Sequence, residues 1–510
     1  MAVSSDLTVL ESFDGSPTFL NYSGGAGAGQ NDDIVIEPTS SGGRRVDNAT
    51  GKGFGAQLVS TNLSATGIHV KIWLYVTQWS TVTKVQLRIS SGADDDHDLP
   101  ASQFPGLFGW VPVWIDISRT PEVNGNANLS AINEIGALID IGNVGGNASN
   151  LILDQIGYST EGLTWSGSGG SFSEFTDYED TNNEGNIVLN NGIFFAYSRL
   201  NLSDSVATTF TDSGFTVTFP DQTLVASDFM GVNCDLSNAS TSITLSDGTI
   251  QSSSPTSATK RPDFIVTGTS GDLTLNSASL VGMRTISLTS ACTINSGILD
   301  ALDLTQGAAE IDGTNIRTRS ASNVAFCNDP TFSASGIHDT TFVQSDSGHA
   351  LEITSTGTYT LSNIFFNGYG GTAGSNLVSS SGDTGAAILN SSGGLVTINI
   401  SGGDSPSIRN TAGSTTQVNN TVSLTISGMT IGDELTIVRN SDDTELFHVE
   451  STLTGSEIYS FDGGDAGTEV RVLVFNISTS EPFALDPFSL PASDATLPIT
   501  TNDERNYRNP

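Results

Sequence analysis

The chain has 510 residues, with 18 Lys or Arg against 55 Asp or Glu and a formal net charge of −37. So acidic a surface excludes general binding to nucleic acid, which needs a basic face. A hydrophobic content of 36% is thin for a globular enzyme but adequate for β-rich folds, and the plentiful, well-patterned β-branched residues exclude a disordered chain.

Met1-Ala-Val-Ser-Ser-Asp-Leu7 lacks the basic region and apolar core of a secretory signal, and no stretch reaches the length of a transmembrane helix. The chain is therefore expected to be made in a cytoplasm without inserting into a membrane.

Residues 1–160 hold four of the five tryptophans, Trp73, Trp79, Trp110 and Trp114, and long alternating runs at Ile68–Thr77 and Thr83–Ser90. Long strands, Gly- and Asn-rich loops and little helical period predict a jelly-roll-like β-sandwich. Through the run Ile68–Trp79 and a closing strand that carries Asp154, it resembles the carbohydrate-binding and concanavalin-like sandwich modules. Alternation puts Val70, Ile72, Leu74 and Val76 on one face and Lys71, Trp73 and Tyr75 on the other. It likewise separates Val111, Val113, Ile115 and Ile117 from Trp110, Trp114 and Asp116. Sugars bind such mixed faces, where rings stack on C–H surfaces and polar groups hold hydroxyls. Trp73, Tyr75, Trp110 and Trp114 are thus the candidate glycan-binding residues, unless a neighbouring domain covers them. The run Asp94-Asp-Asp-His-Asp98 lacks calcium-loop spacing and reads as a solvated loop.

Residues 161–185, with Gly167-Ser-Gly-Gly170, read as a linker, and the acidic stretch from Phe175 to Asn191 as a lead into the next region. Residues 186–420 show short alternating runs bounded by Gly, Ser, Asn and Asp. Examples are Leu273-Thr-Leu275, Leu351-Glu-Ile353 and Leu395-Val-Thr-Ile398-Asn-Ile400, with Phe210–Phe219 as an early strand. Strands this short must stack, and recurrence at intervals of roughly 20 residues predicts a parallel β-helix, or solenoid. Such shafts belong to polysaccharide-cleaving enzymes, adhesins and viral spikes or fibres. Cleavage would need a carboxylate pair. Asp300, Asp303, Glu310, Asp312, Asp339 and Glu352 are the acids to consider, but in so acidic a chain pairs arise by chance and no catalytic residue is assigned. His69, His338, His349 and His448 are scattered without an evident nucleophile, and no metal ligand set or cofactor is assigned. Cys234, Cys292 and Cys327 read as reduced, buried small hydrophobes.

Residues 421–510 restart a clean alternation. Val422, Leu424 and Ile426 form a strand; Glu434–Val438 and Glu445–Val449 form a hairpin, and Glu457–Phe461 with Glu469–Phe475 a second. This predicts a small antiparallel β-sandwich. The ending Val472-Leu-Val-Phe-Asn476, Leu490–Ile499 and Asp503-Glu-Arg-Asn-Tyr-Arg-Asn-Pro510 resembles a C-terminal module of structural proteins of tailed bacteriophages, marine ones especially. The resemblance covers about the last 90 residues. It implies a virion component, made in the host cytoplasm, that contacts other virion proteins.

An all-β chain of this layout is expected to act as a non-enzymatic fibre, spike or capsid-surface appendage, attaching to host-surface polysaccharide. The alternative is a tailspike depolymerase. β-Helical shafts pack about three-fold axes and oligomers close by symmetry, so a homotrimer is expected.

Overall fold

The computed structural model describes residues 3–13, 18–22, 29–31, 41–47, 52–77, 82–100, 110–141, 148–220, 229–253, 261–318, 336–344, 349–369, 378–379, 385–452, 455–462, 465–476, 481–491 and 494–499. The chain is all-β and divides into two compact units, Met1–Ala309 and Glu310–Pro510. Their boundary falls inside the stretch expected to form one solenoid. Cys327 and the tail 503–510 lie outside the described residues.

The first unit opens with two antiparallel sheets. One is ordered Trp110–Asp116, His69–Val76, Ala148–Ser159, Ser41–Asp47, Gly29–Asn31; the other contains Asp94–Pro100, Val82–Ser90, Ile132–Ile141, Lys52–Thr61 and Phe19–Tyr22. Their facing sides share one core, which includes Val70, Ile72, Leu74, Val76, Val111, Val113, Ile115 and Ile117, the aliphatic residues that alternation turns inward. The run 94–98, expected as a solvated loop, is instead part of the strand Asp94–Pro100, and its acids are paired. Arg88 pairs with Asp94 and Asp96, Asp95 accepts the backbone N–H groups of Gly125 and Ala127, and Asp98 accepts from Lys84 and Gln86.

Residues 161–185 depart from the expected linker: they contain the strand Leu163–Trp165 and the helix Phe172–Asn182. Phe172, Phe175, Thr176 and Glu179 are buried, an i, i+3, i+4, i+7 stripe that marks one helix face. The helix ends at Asn183, whose left-handed conformation (φ 53°) lets its N–H bond to the Glu179 carbonyl at 2.7 Å.

Beyond the helix, strands stack in parallel. Thr209–Ser213, Ser242–Ser246, Asp272–Asn276 and Cys292–Asn295 pair in sequence, as do Thr216–Phe219, Thr249–Ser252, Ser279–Ser287 and Ile298–Thr305. Register aligns apolar positions from layer to layer: Phe210, Ile243, Leu273 and Cys292 follow one another, and all are buried. The expected single strand Phe210–Phe219 is two, because the chain turns at Gly214, where φ is 69°. Cys234 and Cys292 are free, buried thiols, and burial pushes both thiol pKa values up.

In the second unit parallel pairing runs through Glu310–Asp312 and Ile337–His338, then from Thr341–Gln344 to Gly357–Asn367, Leu395–Gly403 and Thr415–Met429. The strand Thr415–Met429 has two kinds of partner. Its first half pairs in parallel with Leu395–Gly403 and its second half antiparallel with Gly455–Asp462. The second half belongs to a sandwich whose other sheet is ordered Glu445–Glu450, Glu434–Arg439, Glu469–Asn476, Glu481–Ser489. The first expected hairpin is present in register. The second is not a hairpin: Gly455–Asp462 and Glu469–Asn476 lie in opposite sheets, each paired with other strands. Alternation alone could not choose between these partners, since both arrangements bury the same faces.

Among the described residues, the sandwich core draws only on those from Val422 onward, including Leu424, Ile426, Leu435, Ile437, Val470 and Val472. A fragment 421–510 is therefore expected to fold alone, giving a β-sheet circular dichroism spectrum and one cooperative thermal transition. An unfolded fragment across a concentration series would show that its stability depends on the rest of the chain.

Candidate functional site

The candidate glycan-binding face lies on the outer side of the Trp110–Asp116, His69–Val76, Ala148–Ser159 sheet. Antiparallel register sets Trp110 opposite Tyr75, Pro112 opposite Trp73 and Trp114 opposite Lys71. The four expected rings share the face but not one fate. Trp114 is 1% exposed and Trp73 5%. The indole N–H of Trp73 donates to the Asn183 carbonyl at 2.6 Å and that of Trp114 to the Gly185 carbonyl at 3.1 Å. Phe229 packs against both Trp114 and His69, with ring centroids 5.3 Å and 3.8 Å away. Trp73 and Trp114 are thus packing residues beneath the segment that follows the helix, which corrects the expectation that their face is open.

Tyr75 and Trp110 remain half-buried, with ring centroids 5.6 Å apart and planes tilted by 56°. Trp110 borders a groove of about 480 Å³ together with the edge of Trp73, Asp177, Glu179 and Asp180 of the helix, and the strand Ile187–Asn190. Asp177 and Asp180 are exposed, whereas Glu179 is buried. Among the described residues, the groove walls carry three carboxylates and no cationic side chain.

Under the cover lies a polar cluster. Lys71 is fully buried; its ammonium donates to the Gln155 side-chain oxygen and stands 5.4 Å above the Trp73 ring. Gln155 reaches it from an irregularity in the strand Ala148–Ser159, where φ is 33°. Glu179 accepts the backbone N–H groups of Gly185 and Asn186, both at 2.8 Å. Burial pushes the Glu179 pKa up to about 7; the two backbone hydrogen bonds and Lys71 oppose the shift, and Glu184 adds to it. Burial also raises the carboxyl pKa of Glu184. Through Glu179 the helix holds the loop at 185–186, and the carbonyls at 183 and 185 fix the two indoles.

The acids weighed for cleavage have separate surroundings. Asp300 is buried, Asp303 is exposed, and Glu352 accepts a hydrogen bond from the Ser391 hydroxyl at 2.6 Å. Glu310, Asp312 and Asp339 gather around His338. Sequence reasoning missed Glu179 and Lys71, although the Phe172, Phe175, Thr176, Glu179 stripe was a signal of a covering helix.

No family model matches the sequence, and no curated protein matches it. Similar solved structures include an exo-β-agarase (14% identity, TM-score 0.21, covering 30% of this chain and 24% of that one). They also include the xylan-binding CBM22-1 domain of Paenibacillus barcinonensis Xyn10C (10% identity, TM-score 0.20, 31% of this chain and 95% of that one). A third is CtCBM11 (16% identity, TM-score 0.22, 31% of this chain and 98% of that one). The chain spans about a quarter of the agarase it matches.

Proposed function

We propose that this chain is a non-enzymatic structural protein of a tailed, marine bacteriophage. In this reading it is a fibre, spike or capsid-surface appendage whose parallel layers wind as β-helix turns and which assembles as a homotrimer with other virion proteins. It attaches to host-surface glycans through the groove beside Trp110. The observation that carries glycan attachment is the half-exposed Tyr75–Trp110 pair next to the exposed Asp177 and Asp180. A sugar ring would lay its C–H face on Trp110 while the carboxylates accept hydrogen bonds from its hydroxyls. With the exposed carboxylates of Asp177 and Asp180 and, among the described residues, no base along its walls, the groove repels uronate and sulfate groups. Its ligand class is neutral, hydroxyl-rich polysaccharide.

Affinity electrophoresis in neutral and sulfated polysaccharide gels tests this. The full chain should be retarded by a neutral polymer and not by a sulfated one. Trp110→Ala should weaken binding about fivefold or more, the equivalent of about 1 kcal/mol for a stacked ring. Unchanged retardation of a folded Trp110→Ala variant, or preference for sulfated polymer, would refute the site.

A further inference from the structure

The cluster around His338 follows from strand register. Glu310–Asp312 and Ile337–His338 pair in parallel, Ile311 with Ile337 and Asp312 with His338. Ile311 and Ile337 are fully buried, so alternation turns Glu310, Asp312 and His338 together to the outside. Asp339 then adopts a left-handed conformation (φ 50°) that brings its carboxylate back beside the ring. His338 Nδ1 stands 2.8 Å from Asp339 Oδ2 and 3.3 Å from Asp312 Oδ1. These three donor atoms, one from each residue, all lie within 4.8 Å of one another.

The outer atoms are also engaged. Asp339 Oδ1 accepts a hydrogen bond from the Asn363 side-chain amide at 2.8 Å, in the next layer. Among the described residues, His338 Nε2 is shielded from solvent, has no hydrogen-bond partner, and faces Glu310 Oε1 at 3.8 Å. His338 Nδ1 is hydrogen-bonded to Asp339 Oδ2, so a metal ion would replace that shared proton, and Glu310 at 3.8 Å from Nε2 stands where a small shift would let it accept from the outer ring N–H.

We propose that His338 Nδ1, Asp312 Oδ1 and Asp339 Oδ2 form a binding site for a divalent transition-metal ion of the zinc class. Bonds of about 2.0–2.2 Å at roughly 90–110° place ligand atoms about 3–3.5 Å apart, which the separations of 2.8 and 3.3 Å approach. One imidazole and two carboxylates match zinc, cobalt or nickel better than calcium, which takes six to eight oxygens. Water completes the coordination. The ion ties the strand 310–312 to the turn at 338–339, and through Asn363 to a third layer, so its role is that of a staple between strands. Glu310 and Asn363 act as positioning residues.

The test uses the full chain, stripped with a chelator and titrated with Co(II) and with Zn(II) in excess Mg(II) and Ca(II), which occupy the acidic surface. One equivalent of Co(II) should saturate a visible absorption band, and Zn(II) should raise the melting temperature. His338→Gln and Asp312→Asn, checked for folding by circular dichroism, should each weaken Zn(II) binding at least tenfold and remove the thermal shift. Asp303→Asn, at an exposed acid of the first unit, should leave both unchanged. If His338→Gln does not fold, Asp312→Asn decides alone. Absent or unsaturable binding, or equal binding by the variants, would overturn the site.

Discussion

Replacing Trp114 with Ala should destabilise the unit Met1–Ala309 by about 3–5 kcal/mol, the range for removing a large ring from a packed interior. Trp114 is 1% exposed, touches Phe229, and satisfies the Gly185 carbonyl. Its loss leaves a cavity and an orphaned acceptor together. Gly185→Ala should damage the same place from the other side. Gly185 has φ 77°, and an added Cβ would lie 2.7 Å from Pro112 Cβ and 3.0 Å from the Trp73 ring. Trp110→Ala, at the half-exposed ring, should lower the melting temperature far less while costing glycan affinity. Thermal denaturation of the three variants separates the roles. A Trp114→Ala variant as stable as the parent would mean that the cover over the sheet is not closed.

The second large effect is a pH dependence centred on Glu179. Its folded pKa of about 7 lies above the ordinary glutamate value of 4.5, so the folded state holds a proton that the unfolded state releases between these values. Stability from this group is fully present below pH 4.5, falls as pH rises to 7, and stays reduced above it. The loss is on the order of 3 kcal/mol. Glu179→Gln cannot ionise. Its amide also places a donor against one of the two N–H groups at Gly185 and Asn186, so the variant should start less stable but decline less from pH 5 to pH 8. Comparing melting temperature against pH in parent and variant subtracts the repulsion among the other acids. Parallel curves would show that Glu179 does not titrate in this window. The groups whose fields act on Glu179 are Lys71, Glu184 and the two backbone amides.

Alternation told the inward face of the first sandwich from the outward one, and Val70 through Val76 and Val111 through Ile117 lie in the core as it requires. It could not say what lies against the outward face. That cover comes from Asn183, Gly185 and Phe229, the last lying 160 residues in sequence from the His69 ring it stacks on, and acidic composition hid the helix that leads to it. The runs at 273–275, 351–353 and 395–400 are strands, yet their partners were not legible, because short Ser- and Thr-rich strands carry little to distinguish one neighbour from another. For the same reason the sequence offers no sign of the His338 cluster. Glu310, Asp312 and His338 converge only once Ile311 is set beside Ile337.

From Thr416 to Ile426 the strand Thr415–Met429 keeps a single parity, which ends at the bulge between Ser427 and Met429. Thr416 and Val418 pair with the buried Val396 and Ile398 in its first half, and Val422, Leu424 and Ile426 are buried in its second. The parallel stack and the antiparallel sandwich are therefore phase-locked through one backbone. An insertion or deletion of one residue between 418 and 422 would rotate one partner's apolar side into water, whereas a change of two would preserve the phase.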